Sequence, residues 1–584
     1  MKEIILRHFV FILSTIIILT GFIFFMMPST TFGFGERCVS NQCGVFFTNI
    51  FRARDDLWHM SLAQVAFDTY PFRMPIFSGE MLQSYHFLYS IILMLLTKVS
   101  IPVLTGYYLI FPVIWFIVYT LLTVAISNSL FKNMKAVPVF LFFSYFSSNL
   151  SFLISIMNSK SFLNDIGWFS NQPPEYMINP TLALSIILVQ IILLILLKFR
   201  INLVGILALC ILTFFVWGSK FYGGVIAVSF IYLYLAALTY YKKLQTKYFI
   251  LTCIAILISS IIAALFFFNP FASTRQGGVF SLDPFKTIHP IIEDPQLFQI
   301  VKLARLRYKL YEHPYLFGPI LLIIESFSLA LYLLVAFGTR LFSLLIPASK
   351  IVRSPLYIAI FGTSFVSVLF ASMFTQKGGD WFNTIQFFGY SQFLLQISIS
   401  FFVVNLLLSR KNLSVVFAVF IIVITFIGSL NSVIEYGKDM FISTNSPIHK
   451  IFQPKVYVSS AEVVALAYLS KLPSGITYTF PFTPIADSRP VKQLWKTNDT
   501  ALVAALGNQQ LYEANLQQLD ITGINHQKRT LSLKNIQKTN INLLPIRYLY
   551  LYKQHPDYKK FIARVGPNLV SLFENDEVEI LEKK

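Results

Sequence analysis

Charge is scarce in this chain. Asp, Glu, Lys and Arg make up 12% of its 584 residues, against about 25% in an ordinary soluble domain. That deficit excludes a soluble globular protein and means that lipid solvates most of the chain. Acid is scarcer than base: 27 Asp and Glu stand against 46 Lys and Arg, for a net charge of +19. The basic residues are scattered through short loops and never gather into one stripe, which argues against nucleic acid as a partner. A nucleotide-binding glycine fingerprint, a Walker sequence and a metalloprotease His pair are all missing, so use of ATP or a nucleotide sugar is not indicated. Cysteine is limited to four residues. Cys210 and Cys253 fall inside apolar runs as packing residues. Cys38 and Cys43 stand in the segment Cys-Val-Ser-Asn-Gln-Cys. A zinc site would need two further ligands nearby, and no convincing pair is present. If this loop lies outside the cytoplasm, a small disulfide is the expectation.

What the chain does have is apolar length. Hydrophobic residues reach 56%, with 60 Phe and 29 Tyr, and the mean hydropathy is +0.66. A membrane span needs about 20 apolar residues. Eleven runs qualify: 8–28, 103–131, 136–157, 180–199, 201–217, 221–241, 248–268, 316–338, 355–375, 383–408 and 413–433. The run 86–101 is apolar but short and reads as a juxtamembrane or re-entrant helix. The first run is long, and the Met-Met-Pro-Ser-Thr that follows lacks a small-residue cleavage pattern, so it reads as a retained span.

Basic residues orient the spans. With Lys2 and Arg7 in the cytoplasm, the cytoplasmic turns carry Lys132 and Lys135, Lys198 and Arg200, Lys242, Lys243 and Lys247, Arg340, Lys350 and Arg353, and Arg410 and Lys411. None of these turns carries an acid, as the positive-inside rule requires. Counting 86–101 as a full span would invert everything downstream. The extracytoplasmic side then holds loops 29–102, 158–179 and 269–315 and the tail after about 434. The tail, 435–584, has ordinary soluble composition. Ile476–Phe480 and Ile546–Tyr552 read as strands. Ala461–Lys471 reads as a helix that stops near Pro473-Ser-Gly475. The expected fold is therefore a mainly α polytopic membrane protein with about eleven transmembrane helices (1–434), plus a C-terminal extracytoplasmic α/β domain (435–584).

Chemistry concentrates in the first loop, at Arg54-Asp55-Asp56-Leu57-Trp58-His59. In a helix, Asp55 and His59 (i,i+4) or Asp56 and His59 (i,i+3) share a face. An Asp pair is also a good helix start, which is the plain structural account of it. Further along the loop come Gly79, Tyr85-His86 and Tyr89, leading into the short helix, and then a span that ends at Lys132. This order resembles the first extracytoplasmic loop of the GT-C superfamily of polytopic glycosyltransferases. The resemblance covers the membrane half in topology and about 50–135 in sequence. It implies a membrane enzyme that uses a polyprenyl-phosphate-linked sugar, with a first-loop acid as general base on the acceptor hydroxyl. Asp56 is preferred over Asp55 by a small margin, with His59 beside them and His86 as a substrate-binding residue.

Cations are needed to stabilise a departing phosphate. Lys220 sits between two apolar runs, where a lysine normally has a partner or snorkels. Lys377, in Lys-Gly-Gly-Asp-Trp, has glycines that allow backbone amides near an anion. Arg275 has the fork that matches phosphate oxygens. Arg305 lies with Lys302 and Lys309 along one face of a helical pattern, which serves an anionic headgroup or merely a solvated face. Glu175 could line the same cleft, assisting an acceptor or a metal. A divalent ion such as Mg or Mn is compatible with the Asp pair, though no cofactor is required by it. The partners implied are a polyprenyl-phosphate sugar donor, the bilayer, and an acceptor that is glycan, lipid or protein.

Two alternatives stay open. A transporter of a lipid-linked substrate also has many spans, but it predicts polar residues near span centres and repeat symmetry. A relative that keeps the scaffold without catalysis would bind glycan or partners instead. Substituting Asp55 and Asp56 separates enzyme from binder.

Overall fold

The computed structural model describes residues 2–30, 37–39, 42–47, 50–157, 173–198, 201–269, 280–295, 297–312, 314–376, 381–409, 411–441, 456–489, 491–534, 544–565 and 569–584. Nine helices among them are long and apolar enough to cross a membrane: Arg7–Met26, Val103–Leu130, Pro180–Lys198, Phe221–Tyr240, Thr246–Phe268, Gly318–Leu345, Pro355–Met373, Asn383–Leu408 and Asn412–Leu430. Each corresponds to one of the expected runs, and the chain is a multi-pass membrane protein. The short run 86–101 forms the helix Leu88–Lys98, only 11 residues long, about half a bilayer.

Two expected runs fall short of a continuous span. Leu203–Ser219 has 17 residues. Its start is set by Asn202, whose side chain accepts from the Gly205 N–H at 2.9 Å, a standard N-cap. The run 136–157 breaks into Ala136–Phe146 and Ser151–Met157. Asn149 Oδ1 accepts from the Ser151 N–H and hydroxyl at 3.0 and 2.7 Å. The carbonyls freed at the break, Ser147 and Ser148, accept from Arg340 at 2.9 and 3.3 Å. Gly338, at φ +54°, leaves room for this: a Cβ there would stand 2.5 Å from the Ser148 carbonyl. Arg340 is fully buried. The sequence counts it among the basic turn residues, and that is corrected here: its charge is spent on the carbonyls of a broken helix.

The contacts divide the chain into two compact units. The first comprises Met1–Pro28, Ile114–Ala264 and Phe280–Lys438. Its helices pack largely through aromatic side chains. Phe25, for example, meets Trp115, Phe116, Tyr119 and Tyr145 at centroid distances of 5.5 to 6.0 Å.

The second unit comprises Ser29–Val113, Leu265–Val279 and Asp439–Lys584. It has two sheets. In the first, Gln42–Phe47 pairs antiparallel with Arg37–Val39 on one side and with Val456–Ser459 on the other, and Lys492–Gln493 adds in parallel. Val45 stands opposite Val458. The first loop and the tail therefore share one sheet, a pairing between segments some four hundred residues apart that no local pattern announces. Cys38 and Cys43 face each other across the hairpin and are bonded as a disulfide. The second sheet runs Leu569–Glu574, Val578–Lys583, Tyr548–Tyr552, Ile476–Tyr478 and Gln510–Leu511 in spatial order. The first three strands are antiparallel and the last two join in parallel. Its core includes Tyr478, Leu549, Leu551, Phe561 and Leu581. The α/β character expected of the tail is present, with the helix Ser460–Leu469 where the sequence places one.

Candidate functional site

The acidic motif lies inside a helix, Ile50–Ser61, which continues as a wide turn over Leu62–Ala66. The helix starts five residues before Asp55, so the pair is not an N-cap. The two carboxylates meet different surroundings. Asp56 is 1% exposed. Its Oδ1 accepts from the Tyr107 hydroxyl at 2.7 Å and its Oδ2 from the Tyr108 hydroxyl at 2.5 Å. Both tyrosines belong to the wide turn Gly106–Ile110. Asp55 is half-buried and has no hydrogen bond among the described residues. Two phenolic donors on one carboxylate favour its ionised form and compensate part of its burial.

His59 is buried one turn on. Its Nδ1 lies 3.4 Å from the Ser90 hydroxyl and its Nε2 3.4 Å from the Tyr85 hydroxyl. Tyr89 closes on its ring edge-to-face at 5.7 Å. Burial, aided by the Asp56 charge, raises the Tyr89 pKa well above its ordinary value. His86 is half-buried and stacks on Tyr85 at 4.5 Å. The second unit thus brings Asp55, Asp56, His59 and His86 together with four tyrosines, Tyr85, Tyr89, Tyr107 and Tyr108. Of these, Tyr107 and Tyr108 are absent from the sequence expectations. The signal available was a tyrosine pair at the head of a span, a weak one, because tyrosine is common at membrane interfaces.

The remaining described candidates lie on other elements. Lys220 separates the helices Leu203–Ser219 and Phe221–Tyr240 and is 6% exposed. Its Nζ donates to Thr181 Oγ1 at 3.2 Å and to Asn179 Oδ1 at 3.4 Å, and sits 5.9 Å from the Tyr222 ring centroid. These contacts hold it at 6% exposure, and it does not snorkel to a free surface. Arg305 is exposed on the helix Val301–Tyr311, as are Lys302 and Lys309. The residue turned inward is Arg307. Its guanidinium contacts Glu325 at 2.5 Å, Glu293 at 3.0 Å and His289 Nδ1 at 2.9 Å. Burial and the Arg307 charge lower the His289 pKa to about 4, so the imidazole is neutral and accepts. The helical pattern of 302–309 marks the helix correctly but gives no sign of which cation faces inward. Glu175 belongs by backbone to the turn Pro173–Ile178, and its side chain lies outside the description. Arg275 and Lys377 lie outside the described residues.

Among the described residues, no group of three or more His, Cys, Asp or Glu is placed to hold a metal ion. Both oxygens of Asp56 are already engaged by phenols, so it does not match the open carboxylate that Mg or Mn would need.

No family model matches the chain, and no curated protein does. Among solved structures, it is similar to the oligosaccharyltransferase of Archaeoglobus fulgidus. The complex of that enzyme, AglB, with an inhibitory peptide and a dolichol-phosphate matches at 10% identity and a TM-score of 0.46, over 94% of this chain and 69% of that one. The complex with Zn and sulfate matches at 10% identity and 0.47 over the same shares. Likenesses of this degree are too slight to assign an activity.

Proposed function

We propose that the chain is a membrane glycosyltransferase that moves a sugar from a polyprenyl-phosphate carrier to an acceptor hydroxyl or amide on the extracytoplasmic side. The observation that supports this best is the pairing of an anchored and an accessible carboxylate on one helix, Asp56 held by two tyrosines and Asp55 half-exposed beside it. Preference between the two reverses from the sequence expectation on accessibility. A carboxylate bound by two donors is a weaker base than an open one. Asp55 is therefore the proton acceptor and Asp56 the positioning charge.

The acceptor heteroatom attacks the anomeric carbon, and the bond from that carbon to the phosphate oxygen breaks. The electron pair leaves with the polyprenyl phosphate. The acceptor proton passes to the Asp55 carboxylate. Such general-base assistance contributes about 10²–10⁴-fold. His59, fixed by Ser90 and Tyr85, positions the helix face that carries Asp55 and Asp56. The cations assigned to the leaving phosphate remain Lys220, Arg275, Lys377 and Arg305, with His86 and Glu175 toward the acceptor. Many spans and a folded tail accord with this reading, which also puts the N-terminus in the cytoplasm.

The test is sugar transfer by the purified full-length protein in lipid nanodiscs, supplied with radiolabelled polyprenyl-phosphate sugars. Transfer or donor hydrolysis that is lost in Asp55→Asn, with the melting temperature kept, supports the reading. Absence of turnover with every donor, while donor still binds, would leave a binding protein.

A further inference from the structure

A groove runs between the helix Val301–Tyr311 and the helix Pro314–Phe337, both in the first unit. Ile300, Leu303 and Leu306 line one side, Ile323, Ile324 and Phe327 line the other, and Lys302 is the one charged residue of the lining. Its volume is about 520 Å³. The groove follows from how the short helix is mounted. Arg307 turns inward onto Glu325 of the longer helix at 2.5 Å and onto Glu293 at 3.0 Å, and Ala304 and Leu310 are buried. That clasp fixes the rotation of the short helix and leaves Leu306 exposed.

The groove opens to lipid. Ile323 is 68% exposed and Phe327 is exposed too, and both belong to the membrane-length segment Gly318–Leu345. Exposed apolar side chains on such a segment face hydrocarbon. At 1.5 Å per residue, the lining residues of this segment stand about 8–14 Å from Gly318, in the nearer half of a hydrocarbon core roughly 30 Å thick. That is the depth of the upper acyl chain, below a headgroup layer.

Beside the groove stands charge of one sign. Lys302, Arg305 and Lys309 are exposed, and Val301–Tyr311 contains no acid. None of the three has an ion pair to a described residue. Spacings of three and four residues put them in one stripe. Lys302 and Leu306 are also four apart, so the stripe borders the apolar wall directly. An occupant must match both parts. A neutral lipid leaves the stripe without counter-charge, and inorganic phosphate leaves the walls unfilled. A second copy of this chain would bring a like stripe against this one. An anionic phospholipid has an acyl chain for the walls and a phosphate for the cations, and the bilayer supplies it at the open side.

We propose that this groove is a binding site for an anionic bilayer phospholipid, with one acyl chain between the two helices and the phosphate on Lys302 and Lys309. Arg305, between them on the stripe, adds to the same positive field. The site holds a resident lipid and does not depend on the transfer reading.

The test is native mass spectrometry of the full-length protein in detergent, titrated with phosphatidylglycerol or phosphatidylcholine. One phosphatidylglycerol per chain should bind saturably and more tightly than phosphatidylcholine. Lys302→Ala combined with Lys309→Ala removes two surface cations and should weaken phosphatidylglycerol about thirtyfold, with phosphatidylcholine unchanged. Leu306→Trp and, separately, Ile323→Trp, both at exposed positions, should fill the groove and abolish the saturable site with the melting temperature unchanged. Equal affinity for the two lipids, or saturable binding kept in both tryptophan variants, would overturn the proposal. So would displacement of phosphatidylglycerol by inorganic phosphate at equal concentration, which would leave a phosphate site without a chain. Displacement by farnesyl phosphate at lower concentration would also overturn it, in favour of a polyprenyl-phosphate site.

Discussion

The Tyr108 hydroxyl donates to Oδ2 of Asp56 across 52 positions of sequence. With Tyr107 on the other oxygen, it gives both oxygens of a buried acid a hydrogen-bond donor. Two carboxylates adjacent in sequence thereby acquire unlike surroundings, and unlike surroundings are what separate an anchor from a base.

Tyr108→Phe should therefore act through Asp56 and spare Asp55. Removing one of two donors leaves a buried carboxylate partly unsatisfied, at a cost of about 1–3 kcal/mol. Thermal unfolding followed by fluorescence should show a lowered midpoint. Transfer activity should fall less than in Asp55→Asn. Equal loss in both variants would reject the division of roles between the two acids.

Arg307 and Glu325 are buried to side-chain exposures of 7% and 6%. Breaking a buried pair strands a charge and typically costs about 3–5 kcal/mol. Arg307→Ala should lower the thermal midpoint strongly. Arg307→Met combined with Glu325→Leu should recover part of the loss, because the more deeply buried acid is then gone and only Glu293, with a side chain 18% exposed, loses its arginine. A double variant as unstable as the single one would show that the pair is more than compensated burial.

Glu462, on the helix Ser460–Leu469, is fully buried and accepts from the Tyr552 hydroxyl at 2.5 Å. Burial, with a smaller contribution from the Glu577 charge, raises its pKa to about 8. The folded tail thus holds a proton that the unfolded chain releases near pH 4.5. Stability from this group is complete below about pH 4.5 and is lost as pH rises through about 8. Melting of the full chain should be lower at pH 8.5 than at pH 5.5. Glu462→Gln, which stays neutral, should flatten that dependence. An unchanged slope would assign it to other groups.

Cys38 and Cys43 close a short hairpin loop. Peptide mapping without reduction should find them joined, with Cys210 and Cys253 as free thiols. Cys38→Ser should destabilise the hairpin by about 2 kcal/mol on the chain-entropy account. A free thiol at position 43 in protein purified from membranes without reductant would place this loop in a reducing compartment and invert the expected topology.

How much of this was legible beforehand follows from the kind of signal each element emits. An apolar run is a local property. Nine of the eleven expected spans are found as membrane-length helices among the described residues, and the brevity of Leu88–Lys98 was readable from 86–101 alone. The strands Ile476–Tyr478 and Tyr548–Tyr552 were readable from β-branched and aromatic enrichment. The interruption of 136–157 was not, because hydropathy averages over a Ser-Ser-Asn insert, and the break is stabilised by an arginine almost two hundred residues away.

The candidate site divides in the same way. The sequence by itself determined that this is a membrane protein with an acidic, histidine-bearing first-loop helix and a folded tail, because composition and periodicity act through nearest neighbours and solvent. The tertiary structure decided which acid is buried, which arginine of 305 and 307 turns inward, and that Gln42–Phe47 joins a strand of the tail. These outcomes depend on partners brought together from distant parts of the chain. Periodicity gives the face a residue occupies, and only packing specifies what meets that face.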